Sequence, residues 1–387
     1  MKILFVSSYY LFPGTRFGGS KRLYYFAKEL EKYGAVHVIC HDGCGELEGG
    51  AEPPPPDLKN FLYLPLVRKR NFFTKVLEPG YDTRRFLAAN RGRISDFIGE
   101  SHIDAAILAF PLALSFIETI IPRSAKPVLY LEDDLLLETI LSKKSRNAFD
   151  LYRWVRLAQL RSYYAERLSR VDTFVTISVQ EQALVKRHFP GVRSRIVKYG
   201  VPLHDYPFSP SRAEHFTVGF VGNFRHVPNA DALAWFLSSV LPVLKQLVPY
   251  VKTLVAGKDI PAGIRNEHEG NGSIAWAEDI PRVCDFYERI SVFVNPIVSG
   301  RGLRTKLVES AACGRPMVST TLGAEGFEDL SILIADTPAG FAEHCKALKD
   351  DPLLYARIAE GNRKTVERSY SLEAVGGQLR SLIEGKP

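Results

Sequence analysis

Cysteine is scarce and unpatterned in this 387-residue chain. Cys40, Cys44, Cys284, Cys313 and Cys345 are an odd number with no C-x-x-C pair. That excludes a disulfide framework as the organising device and points to a reducing compartment. Cys40, His41 and Cys44 lie close together, but the remainder of a tetrahedral ligand set is missing around them. Long hydrophobic runs are also missing. The longest, 105–117, contains Pro111 and falls short of the ~20 residues that span a bilayer. Met1-Lys2 leads straight into Ile3-Leu4-Phe5-Val6, too short for the apolar core of a signal peptide. The expectation is a cytoplasmic protein without a membrane anchor of its own. No short-period repeat is visible, and no D-x-D motif stands in a recognisable context, so no metal is expected. At 46% hydrophobic and 24% charged residues the composition excludes disorder, collagen and coiled coil.

The charge that is present is unevenly placed. Residues 1–202 hold 30 Lys and Arg against 21 Asp and Glu, whereas 203–387 hold 20 against 22. The basic excess gathers at Arg68-Lys69-Arg70, Lys75, Arg84, Arg85, Arg91 and Arg93, and again from Lys143-Lys144 through Arg146, Arg153, Arg156, Arg161, Arg167 and Arg170. Phe72, Phe73, Tyr81, Phe86, Tyr152, Trp154, Tyr163 and Tyr164 are interleaved. Cations mixed with rings suit an anionic membrane surface or an anionic acceptor. A solvated helix face over ordinary core aromatics gives the same pattern. No nucleic-acid motif accompanies it, and nucleic acid is not expected as a partner.

Short apolar runs alternate with helical periodicity, the pattern of parallel sheets built from βαβ units. The first series predicts strands at Lys2–Ser7, 36–40, Ala105–Ala109, Val128–Leu131 and 173–177, with a long helix at Phe149–Leu168. Tyr199-Gly200-Val201-Pro202, Pro207 and Pro210 mark a linker. A second series predicts strands at 217–221, 253–256, 273–276, Val292–Asn295, Met317–Ser319 and 332–334, and helices at 230–247 and 303–312. The fold class is therefore α/β, with two doubly wound, Rossmann-like domains facing each other across a cleft. The expected divisions are 1–202, 203–368, and a C-terminal helix in 369–387 that crosses back to the first domain.

The chemically richest stretch runs from Asn295 to Phe327. A strand ends at Asn295-Pro296. A loop with Gly300 and Gly302 then leads into a helix expected to start near Leu303, exposing backbone N–H groups suited to phosphate. Arg301, Arg304 and Lys306 add three cations. Lys306 and Glu309, three apart, share one helix face. There the ammonium can meet a diphosphate, and the carboxylate can accept from ribose hydroxyls. In the first half, Glu132-Asp133-Asp134 follows a strand end. A carboxylate there could bind acceptor hydroxyls or take a departing proton, or it could complement a helix dipole.

On these residues the chain resembles the GT-B glycosyltransferases, in particular the retaining family 4 group (glycosyl transferases group 1). The residues that carry the resemblance are Ser299-Gly300-x-Gly302, Lys306, Glu309-Ser310-Ala311-Ala312-x-Gly314-x-Pro316-x-Val318-x-Thr320 and Gly323-Ala324-Glu325-Gly326. Phe220-Val221-Gly222-Asn223 with Pro228-Asn229-Ala230-Asp231-Ala232, and the Gly18-Gly19 pair after the first strand, extend it. The resemblance implies the GT-B fold and a nucleoside-diphosphate sugar, a UDP- or GDP-sugar, as donor substrate. It places Glu309 at the ribose, Lys306 at the diphosphate, and Glu325 at the distal part of the donor. The base falls near Trp276 and Ala277, unless Trp276 is a core aromatic. Gly18, Gly19, Asn223, Leu303, Arg304 and Thr305 belong with the donor-binding set. Retention of configuration comes from the resemblance alone.

Two departures stand out. The family's E-x7-E pair would need a glutamate where Arg301 stands, and the arginine expected after the first donor-domain glycine is replaced by Asn223. Arg225 is near enough to restore that charge, or it is an exposed loop arginine. The catalytic set is then Lys306, Arg225 and Asp133. The acceptor is a hydroxyl compound, lipid-linked or anionic, in glycolipid or surface-polysaccharide synthesis, with peripheral contact to the inner face of the membrane. A GT-B scaffold without turnover, a phosphorylase and an epimerase are the alternatives.

Overall fold

The computed structural model describes residues 1–11, 18–40, 57–64, 86–99, 102–121, 127–132, 149–210, 215–278, 280–300 and 304–385. They form two compact units. One comprises Met1–Gly200 together with Leu372–Pro387, the other Val201–Ser371.

The first unit holds a seven-stranded sheet of β1 (Lys2–Ser7), β2 (Ala35–Cys40), β3 (Asn60–Tyr63), β4 (Ala105–Ala109), β5 (Val128–Leu131), β6 (Thr173–Thr176) and β7 (Ser194–Ile196). The order is β3-β2-β1-β4-β5-β6-β7 and every pairing is parallel. All residues of β4, β5 and β6 are buried. Both faces of this sheet are covered, which is why these strands read as unbroken apolar runs. Successive side chains enter opposite cores. Leu4, Val6, Leu108 and Tyr130 enter one; Ile3, Phe5, Ile107 and Leu129 enter the other.

Helix α1 (Gly18–Leu30) covers the second of those cores with Leu23, Phe26, Ala27 and Leu30. The C-terminal helix, Leu372–Ile383, belongs to the same core through Val375, Leu379 and Ile383. Each such side chain contributes roughly 1.5–3 kcal/mol of burial.

Helix α2 (Phe149–Leu168) packs several of its basic and aromatic residues inside the unit. Tyr163, Tyr164 and Arg167 are buried. The Arg167 guanidinium stacks 4.0 Å over the Tyr163 ring and sits 2.6 Å from the Glu118 carboxylate. Arg170 donates to the carbonyls of Ile117 and Ile121. These cations are spent inside the unit; Arg161 and Trp154 remain exposed on this helix. Residues 68–85 and 143–146 lie outside the described residues, as do the side chains of Tyr152, Arg153 and Arg156.

Of the acidic run, Glu132 is described. It is buried at the end of β5 and accepts hydrogen bonds from Tyr130 (2.6 Å) and Tyr164 (2.9 Å). Burial, and then the nearby carboxylate charge, push both phenols well above their ordinary range. Glu132 is a core acceptor. Asp133 and Asp134 lie outside the described residues.

The second unit holds β8 (Thr217–Asn223), β9 (Lys252–Lys258), β10 (Ile274–Glu278), β11 (Val292–Asn295), β12 (Met317–Ser319) and β13 (Leu333–Ile334), all parallel in the order β10-β9-β8-β11-β12-β13. The expected helix at 230–247 is interrupted. Helix α3 (Val227–Trp235) passes through a widened π turn at Phe236–Val240 into a further helix, Leu241–Leu247. Pro242 lacks the N–H that a regular turn needs, so the turn before it widens. By length and composition Val227–Leu247 is apolar enough to cross a membrane; here Phe236, Leu237, Val240, Leu241 and Leu244 lie in the core of the unit. Strand order reverses between β8 and β11, so the crevice beyond their carboxyl ends is where a doubly wound sheet binds ligands.

Candidate functional site

β8 runs two residues beyond its expected end and delivers Gly222 and Asn223 to that crevice. Gly222 pairs with Gly257 of β9. Gly257 has φ +127°, and a Cβ there would stand 1.8 Å from the Gly222 carbonyl oxygen. Only glycine permits this approach. The chain then turns through 223–226 into α3. The Asn223 side-chain oxygen accepts from the Arg225 N–H at 3.0 Å, and its backbone carbonyl accepts from the Asn229 side-chain amide at 2.7 Å.

Helix α4 (Val283–Glu288) and helix α5 (Lys306–Ala312) complete the site. Helix α5 begins at Lys306 rather than near Leu303. Arg304 precedes it, and Thr305 takes the capping position without a side-chain cap bond. Arg301, Gly302 and Leu303 lie outside the described residues. Gly300, at φ +88°, packs against Pro228; a Cβ there would stand 2.4 Å from the proline ring. Ser299 donates to Asp231 at 2.8 Å, a second tie between the same two segments.

The centre of the site is the Lys306 ammonium. It donates to the Asn229 side-chain oxygen at 3.3 Å and lies 5.4 Å from the centre of the Phe220 ring. Among the described residues Asn229 is the single hydrogen-bond acceptor it meets, although an ammonium carries three N–H donors. Burial draws its pKa down to about 8; Glu309 pulls it back up, and Arg304, a like charge, adds to the fall. Arg304 is itself drawn below its ordinary value by burial and raised by Glu325, which is exposed after the short helix Thr321–Ala324.

Glu309 lies one turn into α5. The Tyr287 hydroxyl, buried on α4, is placed 3.1 Å from the Lys306 carbonyl oxygen and 3.3 Å from one Glu309 carboxylate oxygen. Tyr287 thus holds one of the two Glu309 carboxylate oxygens. Trp276 and Ala277 lie on the edge strand β10, both part-exposed.

Arg225 is not drawn in beside Lys306. It is exposed and pairs with Asp259 at 3.3 Å. Asp259 follows β9 in the left-handed region, at φ 56°, an uncommon conformation for a non-glycine residue. His226, to which the sequence reading gives no role, is the residue whose titration responds to the cluster. Burial, then Arg304 and Lys306, hold it below its ordinary value. Gly18 and Gly19 open α1 and belong to the first unit. The described residues contain no group of metal-ligating side chains. Cys40, Cys284, Cys313 and Cys345 are free and buried.

Doubly wound parallel sheets in each of two units, with a cationic cluster at the switch point of the second, define the class: this is the GT-B fold. Residues 215–351 match the family model described as glycosyl transferases group 1. The chain is similar to a phosphatidyl-myo-inositol mannosyltransferase of Propionibacterium freudenreichii, 26% identical over 162 residues, which are 41% of this chain and 40% of that protein. It spans about two-fifths of the length of the curated relatives it matches. Among solved structures, sucrose-phosphate synthase from Thermosynechococcus elongatus superposes with a TM-score of 0.70 at 15% identity, covering 100% of this chain and 98% of that one. HepE of Anabaena, in complex with UDP and glucose, superposes with a TM-score of 0.66 at 13% identity over the full length of both.

Proposed function

We propose that this protein is a glycosyltransferase that moves a sugar from a nucleoside diphosphate to a hydroxyl acceptor. The observation that carries the proposal is the Lys306 ammonium: part-buried, drawn down to about 8, and supplied with a single protein acceptor among the described residues. A cation held in that state costs stability unless an anion completes its partners. The anion is the diphosphate, and Glu309, three residues on, takes the ribose hydroxyls. Arg304 and Glu325 lie beside the distal phosphate and the sugar, and Trp276 beside the base. UDP is the first choice of nucleotide because HepE, of the same fold, holds it.

In the reaction the bond between the anomeric carbon and the phosphate oxygen breaks, and a bond to the acceptor oxygen forms. The acceptor proton leaves, and the nucleoside diphosphate departs with added negative charge. Lys306 and Arg304 stabilise that charge where it develops. Retention of configuration follows from the family resemblance, and Asp133 is the candidate residue on the acceptor side. A lipid-linked acceptor at the cytoplasmic face of a membrane fits the basic first unit and the mannosyltransferase relative.

Thermal unfolding with UDP-, GDP- and ADP-sugars tests the donor. A ligand that binds only the native state raises Tm. One of these donors raises it in the wild type and not in Lys306→Ala or Glu309→Ala. A panel that moves none of the three proteins removes the proposal.

A further inference from the structure

We infer that Asn229 is a positioning residue of the donor site, whose side-chain amide aims the Lys306 ammonium at the diphosphate; the inference rests on the nucleotide reading above. Asn229 is 8% exposed, beneath the turn that joins β8 to α3. Its amide is held at both ends. Nδ2 donates to the Asn223 carbonyl at 2.7 Å, and Oδ1 accepts from Lys306 at 3.3 Å. A carbonyl can only accept, so it fixes which end of the amide is the donor. The oxygen must then face the lysine. Gly222 lies beside both groups: a Cβ there would stand 3.0 Å from the Lys306 Nζ and 3.2 Å from the Asn229 Nδ2. The ammonium therefore rests beside bare backbone with one oriented oxygen, and among the described residues its other donors are left for a ligand. Asn229 belongs to the Pro-Asn pair after the first donor-domain strand, and the neighbouring Pro228 meets Gly300. One turn thus sets both the glycine loop and the lysine.

An amide is the group this position requires. A carboxylate would neutralise Lys306 and compete with phosphate, and it could not donate to Asn223. An apolar residue would leave the ammonium without the one acceptor it meets among the described residues. The charged and titratable groups around Lys306 are Arg304 before the helix, Glu309 on the same helix and His226 on the facing turn.

The test measures UDP and GDP binding to the full-length protein by calorimetry from pH 6 to 10, with Asn229→Ala and Asn229→Asp. The wild type binds one of them and loses affinity above about pH 8, where Lys306 sheds its proton. Asn229→Ala weakens binding about tenfold and moves that loss to lower pH. Asn229→Asp also weakens binding but moves the loss to higher pH, because the carboxylate holds the ammonium charged. Opposite displacements are not produced by general damage to the fold. Binding within twofold of wild type in both variants, or a pH limb unmoved in both, overturns the inference while leaving the nucleotide site standing. If neither nucleotide binds the wild type, the functional proposal fails instead. The role of Asn229 is then read without ligand, from the Lys306 titration followed by carbon-13 NMR of lysine-labelled protein. A titration unchanged in both variants overturns it there too.

Discussion

A side chain on Gly222 would begin 3.0 Å from the Lys306 ammonium. That distance is closer than a methyl and a charged nitrogen normally lie, so the glycine is what leaves the lysine its place. Gly222→Ala is expected to displace the ammonium, weakening nucleotide binding about tenfold with a loss of stability on the order of 1 kcal/mol. Calorimetry with UDP, alongside a urea unfolding curve, checks both. Unchanged affinity would mean that the lysine has room to spare.

Lys306→Met is expected to abolish donor binding and to stabilise the unliganded protein. The folded ammonium gives up its proton near 8, whereas an ordinary lysine keeps it to 10.5. Below pH 8 both folded and unfolded lysines are charged, and the folded one bears the full cost of burial. Above 8 the folded group sheds its proton and the cost falls, vanishing past 10.5. The gain in the variant is then on the order of 1–3 kcal/mol at pH 7 and shrinks as pH rises to 10.5. A loss of stability at pH 7 would contradict it.

His226 gives donor binding an acid-side dependence. Its pKa is held below 6.5 by burial and by Arg304 and Lys306, so it is neutral at pH 7. A bound diphosphate opposes those cations and favours protonation. Affinity for UDP is expected to rise severalfold as pH falls from 7 to 5.5, with proton uptake on binding. His226→Gln removes that rise and leaves the loss above pH 8 in place. Calorimetry in buffers of different ionisation enthalpy reads the proton directly.

Tyr287→Phe tests how Glu309 is held. The phenol reaches both the Lys306 carbonyl and the Glu309 carboxylate. Without it, KM for the donor is expected to rise about three- to tenfold while kcat stays within twofold, because the ribose contact is uniform through the reaction. A fall in kcat at constant KM would assign Tyr287 a different part.

The strands that were plainest in the sequence are those buried on both faces, such as β4 and β5, whose residues are apolar throughout. β3 and β7 left no such mark. Asn60–Tyr63 is part-exposed along its whole length, and Ser194–Ile196 is three residues with an arginine at its centre. Lys306 and Glu309 could be paired from their spacing alone, because three residues is less than one helical turn. Asn229 lies 77 residues from Lys306 and Tyr287 lies 22 from Glu309, so only the sheet order brings each to its partner. The partner of Arg225 was likewise hidden, since Asp259 reaches it through the turn that follows β9. Tyr163 and Arg167 looked like surface chemistry in one dimension; α2 turns both inward.

The crystal structure of the protein with UDP tests the account most directly. The expected map places the diphosphate within hydrogen-bonding distance of the Lys306 ammonium and the ribose hydroxyls on Glu309, with Asn229 still bonded to the lysine. A map with UDP bound away from Lys306, and that ammonium still facing Asn229 alone, would contradict it.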